Sequence, residues 1–144
     1  MSILVVRDDG GRAKAGFKGT AGDCCVRAFA IASGRPYQEV YDLVADLAKR
    51  ERTGKRKRGK SSPRTGVYRA TAKKLAERLG FRWVPTRGIG SGCTVHLAEH
   101  ELPEGNLVVS LSRHYCAVID GVVRDNHDPS RGGTRCVYGY WIKE

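Results

Sequence analysis

The sequence predicts an α+β domain in which a buried N-terminal helix packs on a mainly antiparallel sheet. Three observations carry this. Helical periodicity fills the first half of the chain, and β-rich segments fill the second. Residues 24–32, CCVRAFAIA, hold one polar residue, Arg27, so their helix is apolar nearly all round and must be buried. Asp120-Gly121, set between two apolar runs, is the signature of a tight hairpin. At 144 residues the chain is one domain, 1–144, with a helical half at about 23–80 and a β-rich half at about 81–144.

The elements follow in order. ILVV (3–6) reads as a short strand, and the Gly-rich stretch 8–22 as loop. Asp23 stands where a side chain caps a helix starting at Cys24. Gly34 stops that helix, and Pro36 suits the first turn of the next. There Tyr37, Val40, Tyr41, Val44, Leu47 and Ala48 recur at helical spacing on one face. A basic flexible loop at about 49–65 separates this helix from a third, with Tyr68, Ala72, Leu75, Ala76 and Leu79 aligned and Gly80 at its end. Beyond it FRWVPT (81–86), CTVHL (93–97), NLVVSLS (106–112), HYCAVI (114–119), VVRDN (122–126) and RCVYGYW (135–141) read as strands or extended segments. AEHELPEG among them reads as a short helix or turn.

Charge is concentrated rather than spread. The net charge is +11, and residues 49–60, KRERTGKRKRGK, carry +7 of it. The bland reading of this run is a solvated loop. Its functional reading is contact with nucleic acid or another acidic partner through Lys55, Arg56, Lys57, Arg58 and Lys60. No aromatics are interleaved for base stacking, so such contact would be salt-sensitive and sequence-blind. No apolar run approaches the ~18–20 residues of a membrane span. The N-terminus lacks the pattern of a secretory signal, so the expected location is the cytoplasm, with the five cysteines reduced.

Chemistry is expected where Cys24 opens its helix. A thiol there feels the positive end of the helix dipole, which favours the thiolate. An Asp120-Gly121 turn pairs Ile119 with Val122, Val118 with Val123 and Ala117 with Arg124. Extended outward, it sets Cys116 opposite Asp125 and His114 opposite His127. His114, Cys116, Asp125 and His127 then share one face of the hairpin. Asp125 becomes a diagonal neighbour of His114, and Asn126 points to the other face unless a bulge reverses it. These are the parts of a Cys-His-Asp triad: Cys24 as nucleophile, His114 as base and Asp125 as the orienting carboxylate.

A Cys after Asp at the start of a hydrophobic helix, then a distant HYCAVI…VVRDN, resembles the papain-like cysteine peptidases. Within them it is similar to the bacteriocin-processing (double-glycine) peptidases, which share the order Cys…His…Asp. More narrowly, "GDC.VRA.AIA.G.PY.EVY" and "HY.AVIDGVV.D.HDPSR.GTRCVYGYW" resemble small proteins encoded by tailed phages and prophages. The resemblance implies a papain-like fold, thiol-dependent hydrolysis of a peptide or isopeptide amide in a host cytoplasm, and no cofactor. It assigns the same roles to Cys24, His114 and Asp125. One departure stands out. Papain-like enzymes place a Gln about six residues before the nucleophile as an oxyanion donor. Here Lys18 holds that position, leaving Lys18 or Thr20 as substitutes.

The remaining candidates have blander readings. Cys25 packs in the helix, and Cys136 lies in a strand as core. Cys116, Asn126 and His127 line the site. Cys93, His96 and His100 have ligand-like spacings but no paired Cys-x-x-Cys, so no metal is expected. Two alternatives to a hydrolase stay open: an inactive papain-like module that binds a host protein or nucleic acid through the basic loop, and a Cys-dependent acyl transferase.

Overall fold

A computed structural model describes residues 3–18, 22–52, 59–87, 90 and 92–144. Three helices cover one face of a six-stranded mixed sheet. The order along the chain is β1 (Val5–Arg7), α1 (Cys24–Ser33), α2 (Tyr37–Lys49), α3 (Arg69–Arg78), β2 (Phe81–Pro85), β3 (Asn106–Leu111), β4 (His114–Ile119), β5 (Val122–Asp125) and β6 (Gly139–Lys143). The strands lie in the order β1-β5-β4-β3-β6-β2. Only β1, against β5, is parallel; the other neighbours are antiparallel.

Helix α1 is buried as its composition requires. Val26, Phe29 and Ala32 are fully enclosed, and the helix lies across β3 and β4 with α2 packed on it. Phe29 meets Phe81 and Trp141 at ring-centroid distances of 5.4 and 5.5 Å. Gly34 closes the helix in the left-handed conformation, its N–H donating to the Ala30 carbonyl at 3.0 Å. The apolar stripe of α2 buries Tyr37, Val40, Val44 and Leu47, and α3 buries Ala72, Leu75 and Ala76.

The β4–β5 hairpin has the expected register. Ile119 pairs with Val122, Val118 with Val123 and Ala117 with Arg124. Asp120 and Gly121 both have positive φ, 47° and 80°, the requirement of a tight two-residue turn whose twist matches its strands.

Several expectations are corrected. Asp23 precedes α1 but makes no side-chain cap; its carboxylate turns inward instead, toward Arg12, Arg27 and Tyr37. Residues 93–97 form no strand: only His96 makes a bridge, with Cys136. The last strand starts at Gly139 rather than Arg135, so Cys136 lies in irregular chain. Cys136 and Cys93 are joined in a disulfide across a Cα–Cα distance of 5.8 Å, where reduced thiols were expected. No helix among the described residues is long and apolar enough to cross a membrane.

Candidate active site

The start of α1 and the start of β4 meet at one end of the sheet, and a cleft of about 510 Å³ opens there. Its lining includes Cys24 and Arg27 from α1, His114 and Tyr115 from β4, and Asn126 and His127 beyond β5. Gly22 and the segment Thr65–Val67 form another wall. A Cβ on Gly22 would stand 3.2 Å from the Thr65 carbonyl oxygen, so glycine lets these two walls approach.

The structure brings Cys24, His114 and Asp125 together. His114 Nε2 lies 2.6 Å from Asp125 Oδ2, which leaves Nδ1 as the ring nitrogen for the thiol. Asp125 is 4% exposed, and its other oxygen accepts the Asn126 main-chain N–H at 2.7 Å. Burial pushes the Asp125 carboxyl up, but His114, the Asn126 N–H and Arg27 together hold it below the ordinary carboxylate value. Burial likewise disfavours charge on His114. The Asp125 and Cys24 hydrogen bonds prevail, and its pKa is raised to about 9. For Cys24 burial again pushes upward, and the His114 hydrogen bond, its charge, the Tyr115 main-chain N–H and Arg27 bring the thiol below its usual value.

The other free thiols behave oppositely. Cys25 and Cys116 are completely enclosed, and burial raises both far above an ordinary thiol. Cys116 was expected to line the site; it is 1% exposed and packs under the sheet with Leu107, Val118 and Val123, because irregular chain covers that face. One environment therefore favours a thiolate and two oppose it.

Asn126 and His127 both border the cleft. The Asn126 side-chain oxygen lies 2.6 Å from His127 Nδ1, and the Asn126 carbonyl accepts from Arg7 at 2.7 Å. Lys18 is exposed and absent from the cleft lining; its carbonyl accepts from Arg12 at 3.2 Å. Thr20 lies outside the described residues, as do Lys55, Arg56, Lys57 and Arg58. Lys60 donates to the Lys49 carbonyl at 3.4 Å. Nearby, Glu51 accepts the Ser61 N–H at 2.6 Å and the Thr71 hydroxyl, tying the base of the basic loop to α3.

His114, Asp125 and His127 offer ligand atoms within 4.8 Å of one another. Both Asp125 oxygens are already occupied by hydrogen bonds, and Arg27 Nη2 stands 3.8 Å from one of them. A divalent ion would have to displace these bonds beside a fixed cation, so the hydrogen bonds account for the cluster better than a metal site does.

In the sequence Arg27 stands out only as the one polar residue of an apolar helix. That solitude was the usable signal. A charge on an otherwise buried helix needs a partner, and here it has two, Asp23 and Asp125. Comparison with family models, curated proteins and solved structures returned no match.

Proposed function

We propose that the chain is a papain-like thiol hydrolase that cleaves a peptide or isopeptide amide through Cys24, His114 and Asp125. The observation that carries this is the His114–Asp125 hydrogen bond at the mouth of a cleft that Cys24 also lines from a helix N-terminus, with His114 holding the Cys24 thiol below its usual pKa. Cys24 attacks the carbonyl carbon as a thiolate, forming the C–S bond of a tetrahedral intermediate. Asp23 makes no side-chain cap on α1, so the first-turn N–H groups are offered to the developing oxyanion. The intermediate collapses with cleavage of the C–N bond, and His114 gives its proton to the departing amine. His114 then takes a proton from water, which attacks the thioester and releases the carboxylic acid and the thiol. Asp125 keeps the ring oriented and its charged form stable throughout.

An inactive binding module has no use for one thiol held low among three free ones, which favours the enzyme. The resemblance to phage-encoded proteins adds the expectation of a host-cytoplasmic substrate. The test is labelling with an electrophilic thiol probe across pH, mapped by mass spectrometry, alongside cleavage of a peptide library. Cys24 is expected to be labelled selectively well below about pH 8, and Cys24→Ala is expected to lose cleavage by at least ~10⁴-fold. Cleavage that survives Cys24→Ala would overturn the reading.

A further inference from the structure

We propose that Arg27 is a positioning residue that sets the charge of the catalytic cluster, so that the thiolate–imidazolium pair is its electrically balanced state. Arg27 lies one turn beyond Cys24 on α1, is 6% exposed and lines the cleft. Its Nε stands 3.3 Å from Asp23 Oδ1 and its Nη2 stands 3.8 Å from Asp125 Oδ1. Asp23, 2% exposed, also pairs with Arg12 Nε at 3.0 Å and accepts the Tyr37 hydroxyl at 2.6 Å. One buried cation thus joins the triad carboxylate to a second carboxylate behind it.

The signs decide what this does. With the reactive pair ionised, Asp23, Asp125 and Cys24 are negative, and Arg12, Arg27 and His114 are positive. The cluster is then neutral, whereas with the thiol protonated beside the charged imidazole it carries one excess positive charge, which a desolvated site disfavours. Without the Arg27 charge the same state carries one excess negative charge. The relief is a proton retained on the thiol or taken up by Asp125, and either one loses the ion pair.

Other groups facing the cluster leave this balance intact. Tyr37, Tyr115, Cys25 and Cys116 are held neutral, burial being the first cause in each case. His127 is about half exposed, with Nδ1 3.8 Å from Asp125, and Arg113 lies in the exposed β3–β4 turn. Arg135, before β6, keeps its charge near Asp125 but is fixed by the Ser112 and Pro129 carbonyls at 2.5 and 3.3 Å, so its contribution is the same with and without Arg27.

The inference rests on the triad reading, but its readout is the pH dependence of Cys24 alkylation, which needs no cleavable substrate. Arg27→Met keeps an unbranched apolar stem and removes the charged guanidinium. Its alkylation midpoint should rise by at least one pH unit, roughly tenfold less thiolate on the acid side. Arg27→Lys keeps the charge and should stay within about half a unit of the wild type. Asp23→Asn in the Arg27→Met background restores the balance and should move the midpoint back down. A purely structural role predicts that the two changes add instead. An unshifted Arg27→Met, or a double variant shifted further up, would overturn the proposal. Where circular dichroism shows Arg27→Met unfolded, Asp23→Asn alone decides: its midpoint should fall, and an unchanged or raised midpoint counts against the proposal.

Discussion

The two faces of the sheet are covered by different means. On one, α1, α2 and α3 bring Val26, Phe29, Val40, Leu75 and Ala76 against Val108, Ala117 and Trp141. On the other, Ile3, Leu97 and Val137 come from chain with no regular structure and lie against Leu107, Val109, Cys116, Val118 and Val123. A helix satisfies its own backbone as it covers a sheet, so periodicity alone can specify the cover. Irregular chain must find partners for each N–H and C=O. Here the Leu97 N–H donates to the Arg135 carbonyl at 2.9 Å and the Val137 N–H to the Val95 carbonyl at 2.8 Å. The Cys93–Cys136 disulfide closes the same region covalently. The triad draws on both sides: Cys24 begins the helix that covers one face, while strand alternation sets His114 and Asp125 in line with Cys116 and Val123 of the other.

The two covers should differ most in how they tolerate a cavity. Phe29→Ala, in the helical cover, should cost about 3–5 kcal/mol. Leu97→Ala, equally buried in the irregular cover, should fall toward the lower end of about 2–5 kcal/mol, because loop chain relaxes into a cavity more readily than helices locked on a sheet. Urea unfolding of both variants measures this. Equal losses would mean that the cross-linked cover is as rigid as the helical one.

The disulfide sharpens it further. Replacing Cys93 and Cys136 together by Ser should remove about 2–4 kcal/mol while leaving the rate of Cys24 alkylation unchanged within about twofold. Thermal unfolding with and without reductant gives the first quantity, and probe labelling gives the second. A changed alkylation rate would show that the irregular cover also holds His114 and Asp125 in place.

What could be read from the sequence follows the same division. The stripe from Tyr37 to Ala48 and the solid apolar run after Cys24 specify helices because their period is local. Asp120-Gly121 fixes the hairpin register because a turn type dictates which residues face each other, and that register carried His114 to Asp125. Nothing local specifies the pairing of Cys93 with Cys136, which lie 43 residues apart and in no regular element. The same holds for the parallel partnership of β1 with β5, which joins the first strand to the fifth. Asp23 shows a different limit. It has the right residue type and place for a cap, yet two arginines and a tyrosine hydroxyl, all distant or on another turn, outbid the first-turn N–H groups for its oxygens.

The smallest effect is confined to the seam between the faces. The raised pKa of His114 means that its charged form is stabilised by folding; the contribution is complete below about pH 6.5 and is lost as pH rises through about 9. Asp125 has the opposite sign. Its depressed value makes its contribution complete above about pH 4 and lost as pH falls through that lowered value. The difference in melting temperature between the wild type and His114→Gln should therefore be greatest near about pH 5–6 and shrink toward about pH 9. The variant lacking Cys93 and Cys136 should show the same dependence at a lower overall stability, since the hydrogen bonds that shift His114 and Asp125 do not involve either cysteine. A difference that keeps growing above about pH 9 would place the ionised partner of Asp125 on some group other than His114.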